Sequence, residues 1–91
     1  MAKVKIKMYA TIREKFKEGE VVLDADTVIE AIRELVEMHP ELKDDVLDEN
    51  LNLKNDYIYL LNGRNIEFLN KSDTPLKDGD KISIFPPVAG G

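Results

Sequence analysis

The apolar residues of this 91-residue chain keep a helical period in one stretch and alternate, or cluster as strand formers, in most of the others. The helical stretch opens at Thr27-Val28-Ile29-Glu30, which has the form of a capping box, and Val28, Ile32, Leu35 and Val36 then follow at spacings of three and four. It is expected to run over residues 28–39 and to stop before Pro40, whose ring disfavours helical angles in the residue it follows. A single long helix cannot build a bundle. It has to bury its apolar stripe on a sheet, which makes the chain an α+β layer pair.

The sheet is read from the remaining segments. Val4, Ile6 and Met8 alternate with Lys3, Lys5 and Lys7, as in a strand with one buried and one wet face. Residues 11–17 read as a loop or short helical turn ending at Gly19, and Val21-Val22-Leu23 completes a hairpin with the first strand. Tyr57-Ile58-Tyr59-Leu60-Leu61 is rich in strand formers and leads into Asn62-Gly63, the dipeptide best suited to two positive φ angles in a tight hairpin turn. Residues 64–68 return as its partner. After a turn at Asp78-Gly79, Lys81-Ile82-Ser83-Ile84-Phe85 alternates again as the last strand. The expected fold is therefore a mixed sheet of about five strands with one main helix on one face. Val4, Ile6, Ile32, Leu35, Ile58, Leu60, Ile82 and Ile84 are its expected core.

Several function classes are removed by composition. With no cysteine there are no disulfides, thiolate metal sites or cysteine nucleophiles, and any sulfur the chain handles comes from outside. The single histidine, His39, stands beside a helix-ending proline and is read as a helix-end residue, so no metal site is expected. Thirteen basic residues stand against eighteen acidic ones, with Glu41, Asp44, Asp45, Asp48 and Glu49 clustered; this reads as a solvated face and argues against nucleic acid as a partner. No apolar run is long enough to span a bilayer, and residues 1–7 alternate charge with apolar side chains instead of forming a signal-peptide core. No membrane partner and a cytoplasmic location are the expectations. Ser72 and Ser83 lack the surroundings of a nucleophile, and Gly63 and Gly79 are isolated turn residues that build no phosphate-cradling loop.

The remaining feature is the end of the chain. In Pro86-Pro87-Val88-Ala89-Gly90-Gly91 two prolines remove two backbone donors, so the chain leaves the sheet there and divides into a domain at 1–85 and an extended tail at 86–91. Six residues reach at most ~20 Å, far enough to carry a terminal carboxylate into a partner's cleft. Gly90 and Gly91 make its last part thin. A terminal carboxylate is an anion at neutral pH and a poor electrophile, so it reacts only after activation, for which adenylation by an ATP-using partner is the obvious route. Read alone, a Pro-Gly-Ala end is also compatible with a frayed terminus.

Phe85-Pro86-Pro87-Val88-Ala89-Gly90-Gly91, following Leu76-Lys77-Asp78-Gly79-Asp80 and the last strand, closely resembles the C-terminus of the MoaD/ThiS family, in particular the small, sulfur-carrying subunit of molybdopterin synthase. The order of elements is similar over the whole chain, with a longer acidic middle at residues 41–56. The resemblance implies a β-grasp, ubiquitin-like fold. It also implies a cycle in which an E1-like enzyme adenylates Gly91 with ATP and a sulfur donor converts it to a thiocarboxylate. The loaded tail then enters the large synthase subunit and gives sulfur to a pterin precursor. By the same resemblance the chain binds no cofactor stably and has no self-contained active site. Related chains that use the same activated glycine to modify protein lysines supply the alternative function, and a thiamine or tRNA sulfur carrier is a variant of the first. An interaction domain with an inert tail is the third class.

The candidate site residues follow from both readings. Gly91 carries the chemistry, with Gly90 beside it, and Pro86, Pro87, Val88 and Ala89 form the presented tail. Placing Ile58 and Leu60 on the helix side leaves Tyr57, Tyr59, Leu61 and Phe85 on the opposite face, where contiguous apolar side chains mark a partner surface or else cover the lysine stems. Phe85, at the root of the tail, is its expected anchor. Arg64, just after the hairpin turn, is expected to pair with an acidic partner group or to remain solvated.

Overall fold

The structure is a computed structural model and describes residues 1–9 and 19–87. The expected loop or turn over 11–17 and the tail residues Val88, Ala89, Gly90 and Gly91 lie outside the described residues. Five strands are seen, β1 (Ala2–Met8), β2 (Glu20–Ala25), β3 (Ile58–Leu61), β4 (Arg64–Asn65) and β5 (Lys81–Phe85), with a long helix α1 (Val28–Met38) and a short one, α2 (Lys43–Val46). The sheet order is β2-β1-β5-β3-β4, in which β1 and β5 are parallel and the other neighbours antiparallel. α1 covers one face, giving the mixed-sheet β-grasp arrangement that the sequence implies.

Local chemistry sets each boundary. Thr27 caps α1 by accepting from the Glu30 N–H at 3.3 Å, while Glu30 Oε2 reaches back to accept from the Asp26 N–H at 2.9 Å, one residue before the cap itself. The helix ends at His39, whose N–H bonds the Leu35 carbonyl, and Pro40 opens a 3₁₀ turn over Pro40–Leu42. Asn62 and Gly63 take φ of 52° and 86°, the two positive angles of a type I′ hairpin turn. The returning strand is shorter than expected: β4 holds only Arg64 and Asn65, because the Asn65 side chain accepts from the Glu67 N–H at 2.9 Å and starts a 3₁₀ turn at Ile66. That turn sends Ile66 into the core and leaves Phe68 exposed.

The interior lies between α1 and the sheet. Ile6, Met8, Ile32, Leu35, Ile82 and Ile84 are fully enclosed. The acidic middle contributes Leu42, Val46 and Leu47 to the same core while Glu41, Asp44 and Glu49 face water, so its solvated face is the outer side of a packed segment.

One expectation is overturned. Ile58 is 43 % exposed and Leu60 half-buried, whereas Tyr59 and Leu61 are buried with the core. β3 pairs with β5 as Tyr59 with Ile84 and Leu61 with Ile82, so the phase assumed from sequence is shifted by one residue. Both phases of this run are apolar, and alternation alone could not choose between them. The tyrosine hydroxyl decides it: buried against the middle segment, it donates to the Val46 carbonyl at 3.0 Å, and that carbonyl also accepts from the Lys54 N–H at 3.0 Å. Burial, followed by the nearby Tyr57 and Asp56, pushes the Tyr59 phenol above the ordinary tyrosine range against the opposing effect of a backbone hydrogen bond from Lys54.

Denaturant titrations should register this placement. Ile82→Ala is expected to cost ~2–5 kcal/mol, and Leu60→Ala well under half of that, since Leu60 is only partly removed from water. Tyr59→Phe should cost ~1–3 kcal/mol at neutral pH by leaving the Val46 carbonyl short of one donor. A phenol raised in the folded state keeps its contribution below ~pH 10, where unfolded tyrosine is still protonated, and loses it as pH climbs toward the folded value. Tyr59→Phe should therefore show a shallower loss of stability above ~pH 10 than the parent.

Candidate functional site: the root of the C-terminal tail

The tail leaves the sheet from β5, a strand held between two neighbours. Its first residue is gripped by the hairpin turn, with Asn62 Oδ1 accepting from the Lys81 N–H at 2.9 Å and the Asn62 N–H donating to the Lys81 carbonyl at 2.8 Å. Asn62 Nδ2 donates to Asp80 Oδ1 at 2.9 Å, while Asp80 Oδ2 accepts from the Lys77 N–H at 2.8 Å. On the other side Asp78 Oδ1 accepts from the Lys3 N–H at 2.8 Å, and the Lys5 N–H reaches the Asp80 carbonyl at 3.0 Å. Four side-chain oxygens, from Asn62, Asp78 and Asp80, thus set the register of β5 at its start, and the point at which it ends follows.

At that end Phe85 stacks on Tyr9, with ring centroids 4.4 Å apart and planes 13° from parallel. The Lys7 ammonium lies 5.3 Å above the Tyr9 ring, giving a layered Lys7–Tyr9–Phe85 arrangement. The β1–β5 pairing extends this far, because the Tyr9 N–H donates to the Ile84 carbonyl at 3.2 Å. Ile58 faces Phe85 across the β3–β5 pairing, with Leu60 beside Ser83 on the same face. Tyr9, Phe85, Ile58 and Leu60 therefore form an apolar patch on the face that α1 leaves open, and Lys5 and Lys7 line the β1 side of it. Pro86 and Pro87 leave the strand immediately beyond.

An apolar patch does stand at the tail root, with a membership different from the expected one. Phe85 is where it was expected, half-buried at the tail root. Tyr59 and Leu61 are removed from it into the core by the one-residue phase shift, and Ile58 and Leu60 take their place. Arg64 is exposed but pairs with Leu61, which is opposite Ile82, so it sits three residues back along β5, ~10 Å from the tail root, and two strands across. It does not join the Phe85 patch. Tyr9 was not singled out from sequence, although its odd position after Lys3, Lys5 and Lys7 places it on the wet face, and that parity is the signal that could have found it. Gly90 and Gly91 lie outside the described residues, as do Val88 and Ala89.

Among the described residues no group of histidine, aspartate and glutamate side chains is placed to hold a metal ion. No helix among them is long and apolar enough to cross a membrane. His39 sits 3.7 Å from Glu41 at the end of α1, as a helix-end residue would.

Similarity to known proteins agrees with this geometry. A Haloferax volcanii protein, small archaeal modifier protein 3, is 33 % identical, with 97 % of this chain and 98 % of that protein aligned. An Archaeoglobus fulgidus protein assigned as a sulfur carrier is 29 % identical over 97 % of this chain and 98 % of its own length. Among solved structures, small archaeal modifier protein 1 from Methanosarcina acetivorans superposes with a TM-score of 0.89 at 38 % identity, covering 100 % of this chain and 98 % of that one. A Pyrococcus furiosus protein assigned as subunit 1 of molybdopterin converting factor gives 0.75 at 30 % identity, covering 97 % and 100 %. The model of the ThiS family matches residues 6–91, from the middle of β1 through the glycine pair, and the chain belongs to that family.

Proposed function

We propose that this chain is a sulfur carrier of molybdopterin assembly whose reacting group is the Gly91 carboxylate. The observation that carries the reading is the root of the tail: a strand of fixed register delivers the chain, at Pro86, beside an uncovered aromatic and aliphatic patch. Exposed apolar surface of this kind marks a docking face, and here it lies where an enzyme engaging the tail would have to touch the domain. Family membership, the assigned roles of the Archaeoglobus and Pyrococcus relatives and the Phe-Pro-Pro-Val-Ala-Gly-Gly ending support sulfur carriage and a pterin acceptor.

In this cycle an adenylating enzyme docks on Tyr9, Phe85, Ile58 and Leu60 and draws the tail into its nucleotide site. A Gly91 carboxylate oxygen attacks the α-phosphorus of ATP and pyrophosphate leaves. Sulfide-level sulfur from a donor then attacks the acyl carbon, expels AMP and leaves a thiocarboxylate. The domain itself contributes no acid or base; it presents the tail and supplies docking area. The loaded tail next enters the large subunit of molybdopterin synthase, where the thiocarboxylate sulfur bonds to the pterin precursor and water then attacks the acyl carbon, breaking its bond to sulfur and restoring the carboxylate. The second reading, attachment of Gly91 to protein lysines through the same adenylate, is favoured by the similarity to the two small archaeal modifier proteins.

Two experiments test this. Intact mass spectrometry after incubation with ATP, an adenylating enzyme and a sulfur donor should show an acyl-adenylate and then a species heavier by the difference between sulfur and oxygen, confined to the C-terminal peptide. Deleting Gly91 should abolish both species with unfolding behaviour unchanged; loading of a chain extended past Gly91 and left untrimmed would exclude the mechanism. Lysine-linked products in place of the sulfur-bearing species would favour the second reading. Separately, Phe85→Ala should weaken binding to the adenylating enzyme by ~1 kcal/mol or more, roughly fivefold or greater, with Ile58→Ala acting in the same direction. Leu61→Ala, in the core, should instead lower stability and leave the affinity of the folded fraction alone.

A further inference from the structure

A second surface lies at the opposite margin of the sheet. β2 is an edge strand: among the described residues it pairs with β1 and with no strand on its outer side. The other margin, β4, is two residues long, so among the described residues β2 is the extended free edge of this sheet. The direction of its hydrogen-bonding groups follows from the pairing. The Met8 N–H donates to the Gly19 carbonyl at 2.8 Å, and Met8 and Gly19 continue the register that pairs Ile6 with Val21 and Val4 with Leu23. In an antiparallel ladder bonded pairs alternate with non-bonded ones, so Glu20, Val22 and Asp24 turn their N–H and C=O groups away from β1, off the edge. The alternation that buries Leu23 and Ala25 puts all three side chains on the open face, where Val22 is 52 % exposed.

Among the described residues the edge is therefore an unpaired backbone template marked acidic, apolar, acidic. Glu20 and Asp24 face Lys7 and Lys3 across the β1–β2 pairing, but the Lys7 ammonium is drawn over the Tyr9 ring. Neither carboxylate takes part in a hydrogen bond or ion pair among the described residues. A second copy of this chain is a poor occupant. Two-fold antiparallel pairing about Val22 would set Glu20 of each copy against Asp24 of the other, and like charges directly opposite destabilise a strand pair. A strand with the reverse pattern is complementary: basic residues opposite Glu20 and Asp24, an apolar one opposite Val22, and apolar residues between them to lie along half-buried Val21 and buried Leu23 on the helix side.

We propose that β2 accepts an extended basic–apolar–basic peptide segment of a partner protein as an added strand. Backbone hydrogen bonds to Glu20, Val22 and Asp24 would supply the pairing, and the two carboxylates would select the sequence. β2 is two strands away from β5, ~10 Å, so a strand added outside it leaves the Phe85 patch and the tail free. This inference does not depend on the reaction assigned to Gly91.

The test uses the isotope-labelled full chain and the capped pentapeptide Lys-Val-Ile-Val-Lys, whose symmetry presents a lysine to each carboxylate in either strand direction. Amide resonances of Glu20, Val22 and Asp24 should shift on titration and their hydrogen exchange should slow, while those of Ile58 and Phe85 stay in place. The charge-reversed peptide Glu-Val-Ile-Val-Glu should bind about tenfold more weakly, as expected from two cross-strand charge pairs turned repulsive. The Glu20→Lys/Asp24→Lys double variant should invert that preference, and should it fail to fold, Glu20→Gln and Asp24→Asn should each narrow it. The proposal is overturned if both peptides bind alike, if the shifts centre on Phe85, or if the β2 amides respond to protein concentration alone, which would name a second copy as the occupant.

Discussion

The position of β5 governs both halves of this molecule, its core and its tail. A strand flanked on both sides cannot slide without breaking two ladders at once, and here its start is also fastened by side chains of the loops that enter it. Asn62 closes on Lys81 and on the Asp80 carboxylate from the hairpin turn, and Asp78 closes on Lys3 of β1 from the preceding turn. These polar contacts are exposed and individually small. Their effect is on register: with Ile82 and Ile84 held opposite Leu61 and Tyr59, the fully buried layer is fixed, and Phe85 has to emerge beside Tyr9.

The two sheet faces then divide the work. The helix face is closed by α1 and by the middle segment, which Tyr59 pins through the Val46 carbonyl. The other face keeps a graded surface, with aromatic and aliphatic side chains at the tail root, lysines along β1 and carboxylates at the β2 edge. A domain of this size builds one core, and the proposed function puts its chemistry at a chain end and its selectivity on the surface around it. The stacked Tyr9 and Phe85 rings stand at the point of exit, where the proposed function has a partner dock.

Elements with an unambiguous pattern were legible before any coordinates. The Thr27 cap, the stop at Pro40, the Asn62-Gly63 turn, the alternating β1 and β5 and the exit at Pro86 rest on local stereochemistry, which a few adjacent residues specify. Within 57–61, where every residue is apolar, alternation carries no information about facing. The outcome there depends on Val46, thirteen residues away, offering a carbonyl to a buried hydroxyl. For the same reason Tyr59 and Leu61 left the candidate surface and Ile58 and Leu60 entered it. The acidic middle was legible as a wet face, but its Leu42, Val46 and Leu47 side was not, because burial there depends on which part of α1 the segment meets.

By itself, then, the sequence determined one long helix on one mixed sheet, a chain without cysteine, and an exit from the last strand at two prolines. These are set by periodicity, by composition and by what proline and glycine do to a backbone. Only the tertiary structure decided which phase of β3 is buried, that Tyr9 meets Phe85 at the exit, that Arg64 stands apart from that site, and that Glu20, Val22 and Asp24 direct their backbone groups outward from a free edge. Each of these is a relation between strands distant in sequence. A hydrogen-bonded ladder settles it in steps of one residue, and a single step exchanges the buried face for the exposed one.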